Sequence, residues 1–238
     1  MQRIILHHSA GGLIPSAFDK KHYHRLVDGD GNVHDGLHPI SANAPGKRLL
    51  AGQYAAHTRG LNTGSIGVSM ACMANAQWHD PRACKAFPTP VQVEAMIAEV
   101  ARLCRTYSIP VDRRTVLSHA EVQTTLGIAQ AGKWDFDYDP FAVMDSRDPV
   151  KIGDMLRHRV QAVLGDVEPQ PLRGPMPVIR RGSRGEAVAI AQRALGLTAD
   201  GIFGPATEAA VVAFQRKHEL LPDAVIGRAT WAALNLEN

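Results

Sequence analysis

Two histidines and one aspartate stand where a folded chain can bring polar side chains into a cleft. His7 follows the apolar run at residues 4–6, His119 follows the apolar run at 115–117, and Asp135 lies in a loop soon after His119. Such runs read as buried strands, whose final residues project beyond the edge of a sheet. Two imidazoles and a carboxylate suit catalytic zinc, which leaves a fourth position for a water molecule that the metal makes acidic. His7, His119 and Asp135 are therefore candidate zinc ligands.

The spacing of these residues is not specific by itself. The chain has eleven histidines, and a lone histidine is more often a satisfied polar residue than a ligand. The compact H-E-x-x-H pattern of many zinc enzymes is absent. Asp137 and Asp139 are also close enough in sequence to Asp135 to compete for a metal.

Strands and helices alternate in the first two-thirds of the chain. Residues 23–27 form a second predicted strand, and Asp28-Gly-Asp-Gly-Asn32 predicts a turn because glycine and asparagine tolerate positive φ. Apolar residues at three- and four-residue intervals predict an amphipathic helix over residues 89–107, and a further helix is predicted over 149–164. This alternation favours a mixed α/β domain.

A proline-rich stretch separates two parts of the chain. Residues 165–177 contain Pro169, Pro171, Pro175 and Pro177 and have no apolar periodicity. Proline interrupts helices and sheets and stiffens extended chain. We predict a linker at 165–177 between one domain at 1–164 and another at 178–238.

An internal repeat follows the linker. Residues 200–211 align with residues 223–234, and each copy reads as a turn followed by a helix, with Gly204 and Gly227 at the reversal. Ala224 stands in the second copy where the first has Gly201. With a helix over residues 187–195, the repeat predicts a small three-helix bundle.

Composition narrows the possible functions. The 26 basic and 23 acidic side chains leave a net charge of +3, too little to indicate nucleic-acid binding. No apolar stretch is long enough to insert into a membrane, and the first residues lack a signal-peptide pattern, which predicts synthesis in the cytoplasm. Cys72, Cys84 and Cys104 lack metal-ligand spacing. We expect a monomer.

The first two-thirds of the chain resembles the type 2 N-acetylmuramoyl-L-alanine amidase family, which includes phage amidase-type lysozymes and peptidoglycan-recognition proteins. The stretches that carry the resemblance, in family order, are 4–9 (IILHHS), 23–31, 56–68, 118–122 (SHAEV) and 132–135 (GKWD). The resemblance implies a mixed twisted sheet flanked by helices. It also implies zinc-dependent hydrolysis of the amide bond between N-acetylmuramic acid and L-alanine in peptidoglycan.

Carried over residue by residue, the resemblance makes His7, His119 and Asp135 the zinc ligands, because Asp135 occupies the Lys-x-Asp element. It also implies that Lys133 stabilises the oxyanion of the attacked carbonyl and that Tyr23 assists through its hydroxyl.

One position departs from the family pattern. Ser69 stands where some bacterial members have a glutamate that acts as general base. Glu121 could compensate, or it could be an exposed loop carboxylate. His57 either lines the cleft or makes a structural hydrogen bond.

The C-terminal segment is similar to the type 1 peptidoglycan-binding domain. The stretches 181–185, 200–204 and 213–215 carry this resemblance. Such modules bind wall without catalysis and raise the local concentration of a tethered enzyme. We expect a phage or prophage endolysin that reaches the wall by holin-type release. The alternatives are a wall-recycling amidase, a non-catalytic recognition protein, and a zinc peptidase, whose usual His-x-His motif is absent from the expected place.

Overall fold

The computed structural model describes residues 1–140, 146–165, 177–218 and 220–234. The chain forms two compact units, one comprising Met1–Tyr138 with Ser146–Pro169 and the other Asp139–Asp145 with Gln170–Asn238. Most of the predicted linker, residues 165–177, lies outside the described residues. Among the described helices, none combines the length and apolar character that a bilayer span requires.

The first unit is built on a five-stranded mixed sheet in the order β3-β2-β4-β1-β5. Its strands are β1 (Arg3–His8), β2 (Arg25–Val27), β3 (Val33–Asp35), β4 (Ser65–Met70) and β5 (Val116–Ser118). β2 pairs with β3 antiparallel, and the other neighbours pair parallel. The central strands β1 and β4 are almost wholly buried, which explains their continuous apolar character. The predicted mixed α/β sheet is confirmed.

Helices flank this sheet. They are α1 (Ala17–His22), α2 (Pro90–Tyr107), α3 (His119–Leu126) and α4 (Pro149–Leu164), and a 3-10 turn covers Ile40–Asn43. Thr89 caps α2 through the Gln92 backbone N–H, and the Gln92 side chain returns to the Thr89 backbone. The predicted amphipathic helix over 89–107 is therefore confirmed, with Thr89 as its cap.

The helix α3 corrects the expectation that Glu121 lies in an exposed loop. Glu121 is fully buried in its first turn and accepts a hydrogen bond of 2.8 Å from the Ser118 backbone N–H. Arg157 on α4 donates to both Glu121 carboxylate oxygens, at 2.8 and 3.1 Å. A Cβ at Gly153 would overlap the Glu121 carboxylate, so glycine is required there for close packing of α3 and α4. Glu121 thus joins two helices.

The second unit contains the three predicted helices, α5 (Glu186–Ala194), α6 (Pro205–Lys217) and α7 (Arg228–Ala233). They enclose one apolar cluster that includes the fully buried Phe203 and Trp231. The Trp231 indole N–H donates to the Pro177 carbonyl at 2.9 Å, so the polar atom of this ring is satisfied.

A buried glutamine holds each repeat turn of the second unit. The Gln192 amide nitrogen lies 2.7 Å from the Asp200 carboxylate and 2.9 Å from the Thr207 hydroxyl, and the Gln192 amide oxygen accepts from the Gly201 backbone. Twenty-three positions later, Gln215 makes the corresponding contacts. These go to Asp223 at 2.9 Å, Thr230 at 3.2 Å and the Ala224 backbone N–H at 3.0 Å. The two copies of the repeat therefore share the same hydrogen-bond network as well as the same sequence pattern.

The two repeat turns need the same unusual backbone conformation. Gly201 has φ 68° and Ala224 has φ 61°, both in the left-handed region. A Cβ makes this region unfavourable, whereas glycine enters it freely. Ala224 therefore adopts the left-handed conformation at a cost in free energy that Gly201 does not incur.

Candidate metal centre

Three adjacent segments bring together the side chains that the sequence singled out. β1 and β5 are parallel neighbours with Leu6 opposite Ser118, so His7 and His119 leave the sheet at the same edge. Their rings lie 4.6 Å apart. The loop after α3 docks beside them through a hydrogen bond of 3.2 Å from the Ala120 N–H to the Asp135 carbonyl. One ligand atom from each of His7, His119 and Asp135 lies within 4.8 Å of the others, and all three residues are buried.

The electrostatics of this group suit a cation. Asp135 Oδ2 lies 3.2 Å from His7 Nδ1 and 3.0 Å from His119 Nδ1. Burial lowers the pKa of His7 to about 4, so its imidazole is neutral near pH 7. Burial by itself would raise the pKa of the Asp135 carboxyl, but His8, His119 and His7 hold that pKa well below its usual range. A neutral imidazole and an ionised carboxylate are the protonation states in which these groups ligate a metal. The donor set fits zinc.

Each member of the group has a further polar partner. The His119 Nε2 atom lies 2.9 Å from the Gln130 amide oxygen. The His8 Nε2 atom lies 3.3 Å from Asp135 Oδ1, the carboxylate oxygen that faces away from the histidine Nδ1 atoms. Such contacts orient ligand side chains and are as much a part of a metal site as the ligands.

His57 packs behind His7. Its Nδ1 atom lies 3.2 Å from His7 Nε2 and 2.8 Å from the Thr58 hydroxyl. A Cβ at Gly67 would lie 2.6 Å from the His57 ring, so glycine in β4 makes room for this imidazole. Burial holds the pKa of His57 well below its ordinary value. Both interpretations of His57 apply, because it also borders the cleft described next.

The group of His7, His119 and Asp135 lies at a cleft of about 370 Å³, and His119 and Asp135 line this cleft. Lys133 and Trp134 line it beside Asp135, and His57 and Tyr23 contribute from other segments. Further lining residues that the sequence did not indicate are His8, Ser9, Ala10, Phe18, Asp19, His22 and Ala56. The cleft therefore carries a cation, a phenol and exposed aromatic surface around the candidate ligands.

Tyr23 lies close to the group. Its ring centroid is 5.0 Å from that of His7, and its hydroxyl makes a hydrogen bond with the Ser69 side chain. Ser69 is opposite His7 in the β1–β4 register. Burial, together with the charge of Asp135, raises the pKa of Tyr23, so its hydroxyl stays protonated at neutral pH and can donate a hydrogen bond.

Asp137 and Glu121, which the sequence also suggested as residues of the site, have other partners. Asp137 Oδ2 accepts from the Trp78 indole at 3.1 Å and from Arg147 at 2.8 Å, and Asp137 does not join the group of His7, His119 and Asp135. Glu121 pairs with Arg157, as described above. No sequence signal identified these partners, because each contact forms only when separate segments pack together.

Comparisons with known families agree with these observations. The family model described as N-acetylmuramoyl-L-alanine amidase matches residues 1–136, more than half of the chain. A model described as a peptidoglycan binding domain matches residues 184–234. No curated protein sequence matches the chain.

Solved structures show similar proteins. A peptidoglycan-binding protein from Clostridioides difficile is 42% identical over 25% of this chain and 40% of that chain, with a TM-score of 0.24. The hydrolase AmiA of Staphylococcus aureus is 14% identical over 71% of this chain and 77% of its own, with a TM-score of 0.41. The E. coli amidase AmiD is 16% identical over 99% of this chain and 88% of its own, with a TM-score of 0.37. The family assignment rests on the match to residues 1–136.

Proposed function

The chain belongs to the N-acetylmuramoyl-L-alanine amidase family, and from this membership we propose that it hydrolyses the amide bond between N-acetylmuramic acid and L-alanine in peptidoglycan with zinc as cofactor. One observation carries the proposal. The buried ligand atoms of His7, His119 and Asp135 converge within 4.8 Å of one another, and all but His7 line the cleft. Family membership supplies the reaction, and the convergent donor set supports the metal.

In this proposal His7 and His119 would hold zinc through Nδ1, and Asp135 would hold it through Oδ2. These are the atoms that face one another at 3.0 and 3.2 Å. When bound, zinc polarises the carbonyl of the substrate amide and makes water nucleophilic near neutral pH. His8 orients the Asp135 carboxylate through its other oxygen.

Lys133 and Tyr23 stabilise the negative charge that develops on the carbonyl oxygen. Lys133 is exposed at the rim of the cleft, where its ammonium group can approach a bound substrate. Tyr23 is held by Ser69 and keeps its proton because burial raises its pKa. Donors placed in this way act on charge as it forms in the transition state.

The second unit supports the proposal that the substrate is the polymeric cell wall. We propose that residues 178–238 bind the cell wall and that residues 165–177 tether them to the catalytic domain at 1–164. The match of residues 184–234 to a peptidoglycan binding domain supports this assignment. A tethered wall-binding module benefits an enzyme that acts on insoluble wall more than one that acts on small fragments. We therefore propose wall lysis, as by an endolysin, as the biological role.

The test is mass spectrometry of the fragments that zinc-loaded protein releases from purified peptidoglycan. We expect free stem peptides and intact glycan strands. The His119→Ala variant and a chelator-treated sample should release neither peptides nor sugars. Intact wall that still sediments with the wild-type protein would instead identify a non-catalytic recognition protein, and cleavage within the stem peptide would identify a zinc peptidase.

A matched pair of variants tests the third ligand. Asp135→Asn should lose bound zinc and activity, because an amide is a poor zinc ligand. Asp137→Asn should keep both, because its carboxylate binds Trp78 and Arg147. Zinc content measured by atomic emission in the two purified variants distinguishes them. The reverse pattern would assign the metal to Asp137.

A further inference from the structure

Gln130 lies against the His119 imidazole on the side away from Asp135. The Gln130 side chain is buried, with 4% of the residue exposed. Its amide oxygen lies 2.9 Å from His119 Nε2. Its amide nitrogen lies 2.9 Å from the Arg59 carbonyl oxygen and 3.2 Å from the Ile128 carbonyl oxygen. Every polar atom of this amide therefore has a partner.

The two backbone carbonyls determine the orientation of this amide. A carbonyl oxygen can only accept a hydrogen bond, so the group that faces Arg59 and Ile128 must be the NH₂ end of Gln130. A flipped amide would place its oxygen against two other oxygens in a buried site, at the cost of lost hydrogen bonds. The Gln130 oxygen must then face His119.

An oxygen acceptor beside Nε2 favours one position for the His119 proton. The Gln130 oxygen accepts from Nε2, whereas Asp135 Oδ2 competes for the same proton at Nδ1. When Nδ1 binds a metal, the neutral ring keeps its proton at Nε2, where it donates to Gln130. That Nδ1 atom is the one that lies 3.0 Å from Asp135 Oδ2. We propose that Gln130 is a positioning residue that fixes the His119 tautomer and ring orientation so that Nδ1 presents its lone pair to the metal. This inference rests on the proposed zinc site.

The other histidine of the group has no comparable constraint. The Nε2 atom of His7 lies 3.2 Å from His57 Nδ1 and 3.4 Å from the Thr58 hydroxyl. An imidazole nitrogen and a hydroxyl can each donate or accept, so neither contact fixes the His7 proton. The rigid partner is on the His119 side alone.

The same amide also joins two loops at the cleft. Gln130 lies three residues before Lys133, and its hydrogen bond to Arg59 reaches the segment that carries His57. The Gln130 backbone N–H is held separately by the Gln123 side chain, at 3.0 Å. The chain therefore offers a matched control, because the Gln123 side chain holds the same loop at the Gln130 backbone rather than at the His119 ring.

The first experiment reads the tautomer directly. Long-range ¹H–¹⁵N correlation spectra of the metal-free Asp135→Ala variant, which lacks the carboxylate that competes for the His119 proton, should show Nε2 protonated and Nδ1 unprotonated at a pH where the ring is neutral. The Asp135→Ala protein that also carries Gln130→Met, which has no acceptor oxygen, should show a mixture of tautomers. A His119 protonated at Nδ1 in the Asp135→Ala variant would overturn the proposal. This spectrum tests Gln130 even if the wild-type protein binds no zinc, an outcome that would reject the proposed function alone.

The second experiment measures zinc affinity by competition with a chromophoric chelator. Gln130→Met should bind zinc about 10- to 100-fold more weakly than wild type, the usual effect of removing a partner of a ligand. Gln123→Met should keep the wild-type affinity. Equal weakening in both variants would mean that Gln130 acts only by holding the loop, and unchanged affinity in Gln130→Met would also overturn the proposal. Circular dichroism of both metal-free variants verifies that they are folded, and the spectrum of the Asp135→Ala variant remains a valid test if Gln130→Met does not fold.

Discussion

The two units of this protein bury polar side chains for different purposes. In the second unit, Gln192 and Gln215 each use their amide groups fully on a repeat turn. In the first unit, one Asp135 oxygen faces the Nδ1 atoms of both His7 and His119, at 3.2 and 3.0 Å, so three groups that can ligate a metal converge on one point. Among the described residues, every buried side-chain polar atom without a hydrogen-bond partner belongs to the first unit.

This difference distinguishes buried polar side chains that stabilise the fold from buried polar side chains that are available to bind a ligand. A saturated buried network stabilises the fold and has no capacity for a ligand. An unsaturated one costs stability until something binds to it. Two of the unpartnered atoms belong to His8 and His57, which contact Asp135 and His7 respectively. Two of the six unpartnered atoms among the described residues thus belong to side chains that contact the proposed ligands.

From this comparison we expect that fully hydrogen-bonded buried side chains of the first unit stabilise the fold, as those of the second unit do. Glu121→Ala removes the buried carboxylate from Arg157, which then retains the partly exposed Asp154 as its carboxylate partner. Removal of one member of a buried ion pair costs about 3–5 kcal/mol, so the free energy of unfolding should fall by about that amount in urea denaturation. Arg113→Ala removes an exposed ion pair with Asp154 and should leave stability unchanged. A stable Glu121→Ala protein that has lost only activity would indicate a catalytic role for Glu121.

Substitution of Lys133 should lower activity without lowering stability. Lys133 is exposed and borders the cleft, so Lys133→Met should leave the fold and the zinc content intact. Loss of one stabilising donor of the transition-state oxyanion lowers kcat about 10²- to 10³-fold. Release of stem peptides from peptidoglycan, followed over time, measures the effect. The exposed Lys47→Met serves as control, and equal activity of the two variants would remove Lys133 from the mechanism.

Metal removal should affect one unit only. Zinc at 100 times its dissociation constant stabilises the state that binds it by about 2.7 kcal/mol. Hydrogen exchange monitored by mass spectrometry should therefore show slower exchange in β1, β5 and α3 with zinc than with a chelator. Peptides from α5, α6 and α7 should exchange at the same rate in both samples. Protection of the second unit by zinc would contradict the assignment of the metal site.

The duplicated network of the second unit predicts two equal effects. Gln192→Leu and Gln215→Leu each leave a buried threonine hydroxyl and a backbone N–H of the repeat turn without their amide partner. An unsatisfied buried polar group costs about 1–3 kcal/mol, and both variants should be destabilised within this range. Chemical denaturation monitored by the fluorescence of the buried Trp231 measures it. Markedly unequal costs would show that the two repeats are not equivalent in energy.

The smallest expected effect concerns the backbone of the same turns. Ala224→Gly should stabilise the second unit by about 0.5–1 kcal/mol, because relief of a left-handed alanine exceeds the entropy cost of glycine. Gly201→Ala should destabilise it by a similar amount, since Gly201 has φ 68°. Thermal unfolding of the pair tests both signs. A destabilised Ala224→Gly protein would show that the Ala224 side chain contributes more than its backbone costs.

Local patterns were sufficient to predict much of this molecule. The helix at Pro90–Tyr107 follows from its periodicity and its Thr89 cap, and the helix at Pro149–Leu164 from a proline start and an apolar stripe. The three helices of the second unit follow from the repeat and the periodic residues before it. In each of these segments the signals act within a few turns of chain, so neighbouring residues decide the outcome.

The partners of individual polar side chains could not be predicted in this way. Glu121 was expected in an exposed loop or at the catalytic centre, but it pairs with Arg157 on another helix. Gln130 and His8 gave no signal at all, although each contacts a proposed ligand. Such contacts join separate segments of the chain, and they arise only when the sheet, helices and loops have packed.

The sequence alone determined the types of residue available for chemistry and the strands that deliver them, because apolar runs that end in histidine specify their own local structure. It also determined the duplicated turns of the second unit. Residue spacing left Asp135 and Asp137 as competitors, and the resemblance favoured Asp135. Only the tertiary structure decided that Asp137 binds Trp78 and Arg147 instead. The physical reason is geometric. Hydrogen bonds and metal ligation act over about 3 Å, and a distance that short between remote segments is set only when their elements pack together.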